Sequence, residues 1–322
     1  MNSRTTLSIP GASEDPSEHM KLALVIPTLC EAQNIARLLG DVRAVLEPLR
    51  IPYEIIVVDD DSRDETGPVV AALAREDARL RLLVRKREHG LAGAILDGWR
   101  QSDAQVLGVM DADFQHPPKL LPELFAAIRG GRDLAIGSRY VSGGKLGRWN
   151  PVRRLASALA RGMTWPLEKN ARRVRDPLSG FFLVRRRCLQ DLTFQRAGYK
   201  LLLEILVRGR VGSFEEIPFT FGRRLAGSSK TNLKVGWDFA RLLGRLYAER
   251  FGLIGMGAGG PTAPEQRLFT SASARTRIDR ARSLALLPFC SVSEPSPPNG
   301  NFREEIAAAS QAAMAASEGE IP

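Results

Sequence analysis

From residue 22 onward, short runs of apolar residues alternate with stretches in which apolar positions recur every three or four residues. The runs at 22–27, 54–59, 80–85, 106–110 and 134–137 are rich in Val, Ile and Leu and hold few polar residues, the pattern of strands buried on both faces. Between them, residues 32–46, 64–75, 91–101 and 120–129 carry the periodicity of helices with one apolar face. A repeated β-α order of this kind predicts an α/β domain with a mainly parallel sheet flanked by helices. Functional residues of such sheets gather beyond the carboxyl ends of the strands. The residues that follow each apolar run are therefore where chemistry is expected.

After Arg139 the pattern loosens. It predicts a Gly-rich loop at 142–147, a basic helix over 151–168, a helix over 200–208, a strand over 214–221 and a last helix over 232–250. Residues 1–20 are rich in Ser, Pro, Gly and Glu without apolar periodicity and read as a flexible leader. Beyond 254 the composition turns Gly/Pro-rich, then Ser/Pro-rich, then Ala-rich, which predicts a largely disordered tail. The chain thus divides into a leader at 1–20, one domain at 21–254 and a low-complexity tail at 255–322.

Composition narrows the partners. The 322 residues carry a formal charge of +10, and residues 140–254 hold 23 Lys and Arg against 8 Asp and Glu. A basic surface suits nucleic acid, an anionic membrane or a phosphorylated substrate. No nucleic-acid module is recognisable and few aromatics interleave with the basic residues, which argues against nucleic acid. Cys30, Cys188 and Cys290 are odd in number and show no metal-ligand spacing, so reduced thiols are expected. Nothing resembles a secretory signal, and no stretch is apolar over the roughly 18 to 20 residues needed to cross a bilayer.

The densest candidate chemistry is Asp111-Ala112-Asp113, directly after the run at 106–110. Side chains alternate along an extended segment, so Asp-x-Asp sends both carboxylates to the same side. With Gln115 two residues further on, the set suits Mg²⁺ or Mn²⁺ held against the diphosphate of a nucleotide. Read alone, the pair fits a solvated turn or a helix N-cap ahead of Pro117 at least as well. Three further strand ends point at the same crevice: Pro27-Thr28-Leu29-Cys30-Glu31, Asp59-Asp60-Asp61-Ser62 and Gly137-Ser138-Arg139-Tyr140. Acidic groups in the first two can accept hydrogen bonds from a ribose or a base. Asp61 or Ser62 is expected to cap the following helix, a role that does not account for Asp59 and Asp60. The histidines, His19, His89 and His116, form no nucleophile-base pattern, and His116 before two prolines reads as a structural loop residue.

In this order the segments resemble the family 2 glycosyltransferases of GT-A fold, in the branch of the polyprenol (dolichol) phosphate mannose synthases. The resemblance spans residues 22–250 and rests on Val25 to Ile35 for VIPTYNEAENI, Ile55 to Ser62 for IIVVDDNS and Met110 to Pro118 for MDADLQHPP. It continues through Gly137 to Tyr140 for GSRY, Asp176 to Phe182 for DPxSGFF and Arg224 to Lys230 for RxxGxSK. It implies transfer of a sugar, typically mannose from GDP-mannose, to a polyprenyl or dolichyl phosphate with inversion, and Mg²⁺ or Mn²⁺ as cofactor. By the same resemblance Pro27, Thr28, Glu31 and Asp59 would surround the nucleoside, with Asp60 nearby. Asp111, Asp113 and Gln115 would hold the metal, Arg224 and Lys230 would close over the diphosphate, and Ser138 and Arg139 would contact the acceptor phosphate. Asp113, Arg224 and Lys230 form the implied catalytic group. The chemistry is coherent on its own terms: a phosphate monoester has a second pKa of about 6, so near neutral pH its oxygen is already an anionic nucleophile.

Leu29-Cys30 stand where the family has Tyr-Asn, and Asp60-Asp61 where it has Asp-Asn, which weakens any inference about the nucleotide base. A UDP-sugar donor, glucose included, or another acceptor is the alternative among enzymes of this fold, and a catalytically silent sugar-nucleotide-binding regulator that retains the fold is the alternative of a different class. A dehydrogenase is poorly supported, because no GxGxxG follows the first strand. Many relatives carry C-terminal transmembrane helices where this chain has a polar tail, so the expected location is peripheral, at the cytoplasmic face of a membrane. Trp149, Leu155, Leu159, Met163, Trp165 and Leu167, set among Arg153, Arg154, Arg161, Lys169, Arg172 and Arg173, supply a candidate surface for an anionic leaflet. The helix over 232–250, with Trp237, Phe239, Leu242, Leu243, Leu246 and Tyr247, is a weaker candidate, because packing on the domain explains its periodicity as well.

Overall fold

The structure, a computed structural model, describes residues 20–87, 89–147, 151–167, 174–194, 200–222, 233–252 and 266–267. The expected leader and most of the tail lie outside them. Strands β1 (Leu22–Thr28), β2 (Tyr53–Asp59), β3 (Leu80–Val84), β4 (Val106–Val109) and β5 (Leu134–Ser138) alternate with helices α1 (Ala32–Leu46), α2 (Thr66–Glu76), α3 (Leu91–Arg100) and α4 (Leu121–Arg129). Then follow α5 (Pro151–Gly162), β6 (Phe182–Arg185), β7 (Thr193–Phe194), α6 (Leu201–Arg208), β8 (Phe214–Pro218), α7 (Leu233–Arg250) and β9 (Gln266–Arg267). Seven strands form one sheet in the order β3-β2-β1-β4-β6-β5-β8, while β7 pairs with β9 separately.

All contacts in the large sheet are parallel except those of β6, which runs antiparallel to both β4 and β5. The apolar run Phe181-Phe182-Leu183-Val184 carries this strand, which the periodicity reading left inside the Asp176–Phe182 motif. Alternation along the strands sends two sets of side chains to opposite faces. Leu22, Leu24, Ile26, Ile55 and Val57 meet Ile35, Leu38 and Val42 of α1 and Leu121, Leu124 and Phe125 of α4. Ala23, Val25, Ile56, Val58, Leu107 and Val109 meet Ile95 and Trp99 of α3 and Leu202 and Ile205 of α6. Strands sandwiched in this way need no polar face, which is why they read as near-continuous apolar runs.

The later helices differ more from expectation. α5 ends at Gly162, and a single 3₁₀ turn at Trp165–Leu167 replaces its predicted last part. In α7, Leu242, Leu243 and Leu246 pack against Leu203 and Val207 on the outer side of α6, together with Leu167 and Leu178. Packing therefore explains the periodicity of α7. β8 stops before its predicted end because its partner β5 ends at Ser138, opposite Pro218. The chain still follows β5, since the Phe219 N–H reaches the carbonyl of Ser138 at 3.0 Å.

Gly98 shows how closely α3 is laid on the sheet: a Cβ there would sit 2.7 and 2.8 Å from the two methyl carbons of Val25. Valine is branched at Cβ and cannot swing aside. Gly98→Val should therefore destabilise the fold by about 1–3 kcal/mol, read as a lowered midpoint in urea with an unchanged slope.

Candidate active site

The strand order reverses between β1 and β4, and the loops that leave these strands open a crevice at the switch point. On the β1–β2 side, Thr28 and Asp59 are register partners. The Thr28 hydroxyl donates to Asp59 Oδ1 at 2.8 Å, and Ser62 donates to Asp59 through its hydroxyl at 2.6 Å and its N–H at 2.9 Å. Ser62 Oγ in turn accepts the Cys30 N–H at 2.7 Å. Asp59 is thus the buried knot tying the two loops. Pro27 is half-buried, Leu29 and Cys30 are exposed, and half-buried Glu31 accepts from Asn34 Nδ2 at 2.8 Å.

Asp60 is buried, and its oxygens accept from Arg85 Nη1 at 2.6 Å and the Gly90 N–H at 2.7 Å, which fastens the loop before α3. Neither Asp61 nor Ser62 caps α2, which begins only at Thr66 with Glu65 at its N-cap, and the carboxylate that reaches its first N–H is Asp64. Asp64 accepts the Thr66 N–H at 3.1 Å and the Ala32 N–H at 3.2 Å. Burial pushes its carboxyl up, but these bonds and that from the Thr66 hydroxyl hold it below the usual range.

The loop after β4 is built around His116. Its Nδ1 accepts the Asp111 N–H at 3.1 Å, and its ring stacks on Phe181 with centroids 5.1 Å apart and meets the edges of Phe219 and Phe221. Burial in this aromatic cage pushes His116 down to about 4, so the ring is neutral at physiological pH. The 3.5 Å approach of Asp111 Oδ2 to the same nitrogen is accordingly not an ion pair. His116 is the structural loop residue the prolines suggested. Asp113 is buried and its Oδ1 accepts the Gln115 N–H at 3.1 Å, while Phe114 between them takes a left-handed φ of 62°.

Two glycines bring other segments onto this loop. A Cβ at Gly180 would lie 3.4 Å from Asp111 Oδ2 and 3.3 Å from His116 Cε1. The Gly222 N–H donates to the Gln115 carbonyl at 3.0 Å, and a Cβ there would fall 2.5 Å from the Phe114 carbonyl oxygen. Among the described residues no three His, Cys, Asp or Glu side chains gather as a metal site. The donors the chain offers here are two carboxylates one residue apart and the Gln115 amide two residues further on. Such oxygen donors fit Mg²⁺ or Mn²⁺ that takes its remaining ligands from a diphosphate and water.

The third wall comes from β5 and the segment entering β6. Arg139 grips Asp176 through Nε at 2.8 Å, Nη2 at 2.7 Å and its backbone N–H at 3.0 Å. The guanidinium lies against the rings of Tyr140 and Phe221. Burial lowers the pKa of Arg139, but the Asp176 bonds and charge outweigh it and raise the value overall. Ser138 is fully buried, and its Oγ accepts the Tyr140 N–H at 3.4 Å within the turn. Arg224 and Lys230 lie outside the described residues.

Lys200 was not anticipated. It precedes α6 half-buried, its ammonium donating to the Leu178 carbonyl at 3.2 Å. Burial, then the charge of Arg139, pulls its pKa down to about 8, while Asp111 and Asp176 oppose the shift. In the sequence it is a lysine ahead of the apolar run Leu201-Leu202-Leu203, indistinguishable from any solvated helix start.

Comparison with known proteins places this geometry. The profile of Glycosyl transferase family 2 matches residues 23–193, and the chain belongs to that family, as a glycosyltransferase enzyme. Within it, the chain resembles the polyprenol phosphate mannose synthases. It is 39% identical to dolichol-phosphate mannosyltransferase of Pyrococcus furiosus over 227 residues, 70% of this chain and 64% of that protein, so the match spans slightly under two thirds of that relative. It is 34% identical to dolichol-phosphate mannosyltransferase of Saccharomyces cerevisiae over 244 residues, 72% of this chain and 89% of that protein. Among solved structures, glucosyl-3-phosphoglycerate synthase of Mycobacterium tuberculosis, in complex with Mn²⁺, UDP-glucose and phosphoglyceric acid, matches with a TM-score of 0.56. Identity is 21%, and the match covers 79% of this chain and 89% of that one. That likeness establishes the GT-A fold. The fit of Gly222 against Phe114 makes it a sensitive position: Gly222→Ala should cut turnover roughly tenfold to a hundredfold, measured as steady-state glycosyl transfer, with a smaller stability loss than Gly98→Val.

Proposed function

We propose that this protein is an inverting mannosyltransferase that moves mannose from GDP-mannose to a polyprenyl or dolichyl phosphate, with Mg²⁺ or Mn²⁺, at a membrane surface. The observation that carries the reading is the meeting of three walls at one switch point: the Thr28–Asp59 knot, the Asp111–Gln115 loop, and the Arg139–Asp176 pair. The names of the two mannosyltransferase relatives support the sugar and the acceptor.

In this reading Pro27, Thr28 and Glu31, set by the Asp59 knot, frame the nucleoside. Asp111, Asp113 and Gln115 would hold the cation, which would supply positive charge to the departing nucleoside diphosphate. Arg224 and Lys230 supply further positive charge to the same leaving group. The acceptor phosphate arrives near Arg139, whose orientation Asp176 fixes. One of its anionic oxygens attacks the anomeric carbon as the bond to the diphosphate breaks on the opposite face, so the configuration inverts. Neutral His116 takes no proton, since its Nδ1 already accepts the Asp111 N–H.

The donor base is the open choice at this site. Leu29 and Cys30 are exposed at the nucleoside wall without the aromatic ring of the family pattern, and a UDP-sugar is the competing donor. A panel of radiolabelled GDP- and UDP-sugars incubated with polyprenyl phosphate, followed by organic extraction, decides this. Label in the lipid from GDP-mannose alone is the expected result, and label from a UDP-sugar alone overturns the choice of donor. Asp113→Ala is expected to lower transfer about a hundredfold or more while retaining the far-UV circular dichroism spectrum. EDTA should abolish activity, and Mn²⁺ or Mg²⁺ should restore it.

α5 supports the membrane side of the reading. Leu155, Leu159 and Met163 fall on one helical stripe and are 62%, 62% and 52% exposed, with Trp165 46% exposed just beyond. Leu167 is buried, and Trp149, Lys169, Arg172 and Arg173 lie outside the described residues. No helix among the described residues is long and apolar enough to cross a membrane. An apolar stripe flanked by exposed Arg154 and half-buried Arg161 suits insertion at the interface of an anionic leaflet. The protein should co-sediment with phosphatidylserine-containing vesicles at low salt, and Leu155→Glu with Leu159→Glu should release it.

A further inference from the structure

The two faces of α5 do different things. Leu155, Leu159 and Met163 point outward, while Ser157 and Arg161, four residues apart and so on one side of the helix, turn to the body of the domain. The hydroxyls of Ser157 and Tyr140 share a hydrogen bond of 2.8 Å. The Arg161 guanidinium lies over the Tyr140 ring, 4.0 Å from its centroid, and its Nη1 donates to the Arg175 carbonyl at 3.2 Å. Arg161 Nε is buried and has no hydrogen-bond partner among the described residues, so the negative face of the ring helps to offset its burial.

Both contacts land beside the buried ion pair of the crevice. Tyr140 follows Arg139 and Arg175 precedes Asp176, so α5 holds the chain next to each partner of that pair. The Tyr140 ring also lies against the Arg139 guanidinium, with 5.6 Å from Cζ to the ring centroid, and Phe221 flanks the same group at 5.3 Å. A hydroxyl tied to the helix thus governs where one of the two flanking rings stands. Apolar packing does little to seat the helix: no apolar side chain described in α5 is buried, and Ala160 packs only in part against the cluster of α6 and α7. The polar contacts of Ser157 and Arg161 therefore decide how α5 sits on the domain.

We propose that Tyr140 is a positioning residue for the acceptor step, relaying the seat of α5 to Arg139 so that the guanidinium meets the acceptor phosphate in one orientation. The helix offered to the membrane then also sets the wall that receives the acceptor. This rests on the mannosyltransferase reading above, in which Arg139 meets that phosphate. The expected signature is confined to the acceptor, because the Thr28–Asp59 knot takes no part in these contacts.

The experiment compares wild type, Tyr140→Phe, Ser157→Ala and their double variant, with GDP-mannose, Mn²⁺ and a short-chain polyprenyl phosphate. That acceptor is soluble without vesicles, so delivery from a membrane does not enter. Tyr140→Phe keeps the ring and removes only the hydroxyl bond, and should raise the KM for polyprenyl phosphate about threefold to tenfold with kcat within about twofold. Ser157→Ala should do the same, and the double variant should lose no more than either single one, because all three lack the same bond. Donor affinity, measured by calorimetry without acceptor, should stay within about twofold of wild type in all of them. A normal acceptor KM in Tyr140→Phe overturns the proposal. So does a loss of donor affinity as large as the rise in acceptor KM, and so do losses that add in the double variant, which would mark two separate structural defects. If Tyr140→Phe does not fold, Ser157→Ala decides, since alanine is the best helix former. A raised acceptor KM with intact donor binding then supports the proposal, and a normal acceptor KM overturns it. Should wild type label no polyprenyl phosphate from any sugar nucleotide, the mannosyltransferase reading itself fails, a result distinct from wild-type transfer that Tyr140→Phe leaves unchanged.

Discussion

The buried pairing of Arg139 with Asp176 is the interaction on which the crevice depends. It joins the end of β5 to the chain entering β6 by two side-chain bonds and one backbone bond. Once Asp176 is fixed, Ser179 reaches the Gly137 carbonyl at 2.7 Å and Gly180 is brought against Asp111. Phe181 then meets His116, and the ring of His116 holds the Asp111 N–H. Each contact is possible only because the preceding one sets the backbone. A buried ion pair of this kind contributes little net stability, since desolvation offsets attraction, but losing one partner leaves an uncompensated charge at a cost of about 3–5 kcal/mol. Its value here is positional.

Much of the fold was legible because burial on both faces leaves an unmistakable pattern. α1 was placed at 32–46 from periodicity alone, and the first five strands within a residue or two of their observed ends. β6 was missed because its four residues follow a motif that drew attention to chemistry, and because its pairing depends on β4 and β5, more than forty residues upstream. No local window contains that information. The same limit explains Asp60: its partner Arg85 lies 25 residues away, and only the parallel pairing of β2 and β3 brings them together.

The site was legible in its acidic residues and less so in its basic ones. Asp-x-Asp after an apolar run has a geometric meaning that alternation supplies directly. A lysine ahead of a helix has none until the tertiary structure shows which way the ammonium turns. Lys200 thus looks like one of the 23 cations of residues 140–254 and is distinguished only by its carbonyl anchor and its charged neighbours. Ser138 is the converse case: it sits in a recognisable motif, and only its strand position shows that the hydroxyl turns inward.

The reversed direction of β6 separates the two halves of recognition along the chain. A parallel strand presents only the residues that follow it to the crevice, and those residues must then lead into a covering helix. β6 begins at that edge, with Phe182 opposite Val109 and Ile136, so it presents the residues that precede it. The segment before β6 is constrained at its far end by Asp176 and not by a crossover connection. Residues between Arg139 and Asp176 can therefore lengthen, shorten or diversify while the frame of β1 to β4 stays untouched. One reversed strand makes the Arg139–Asp176 wall an exchangeable module on the frame of β1 to β4.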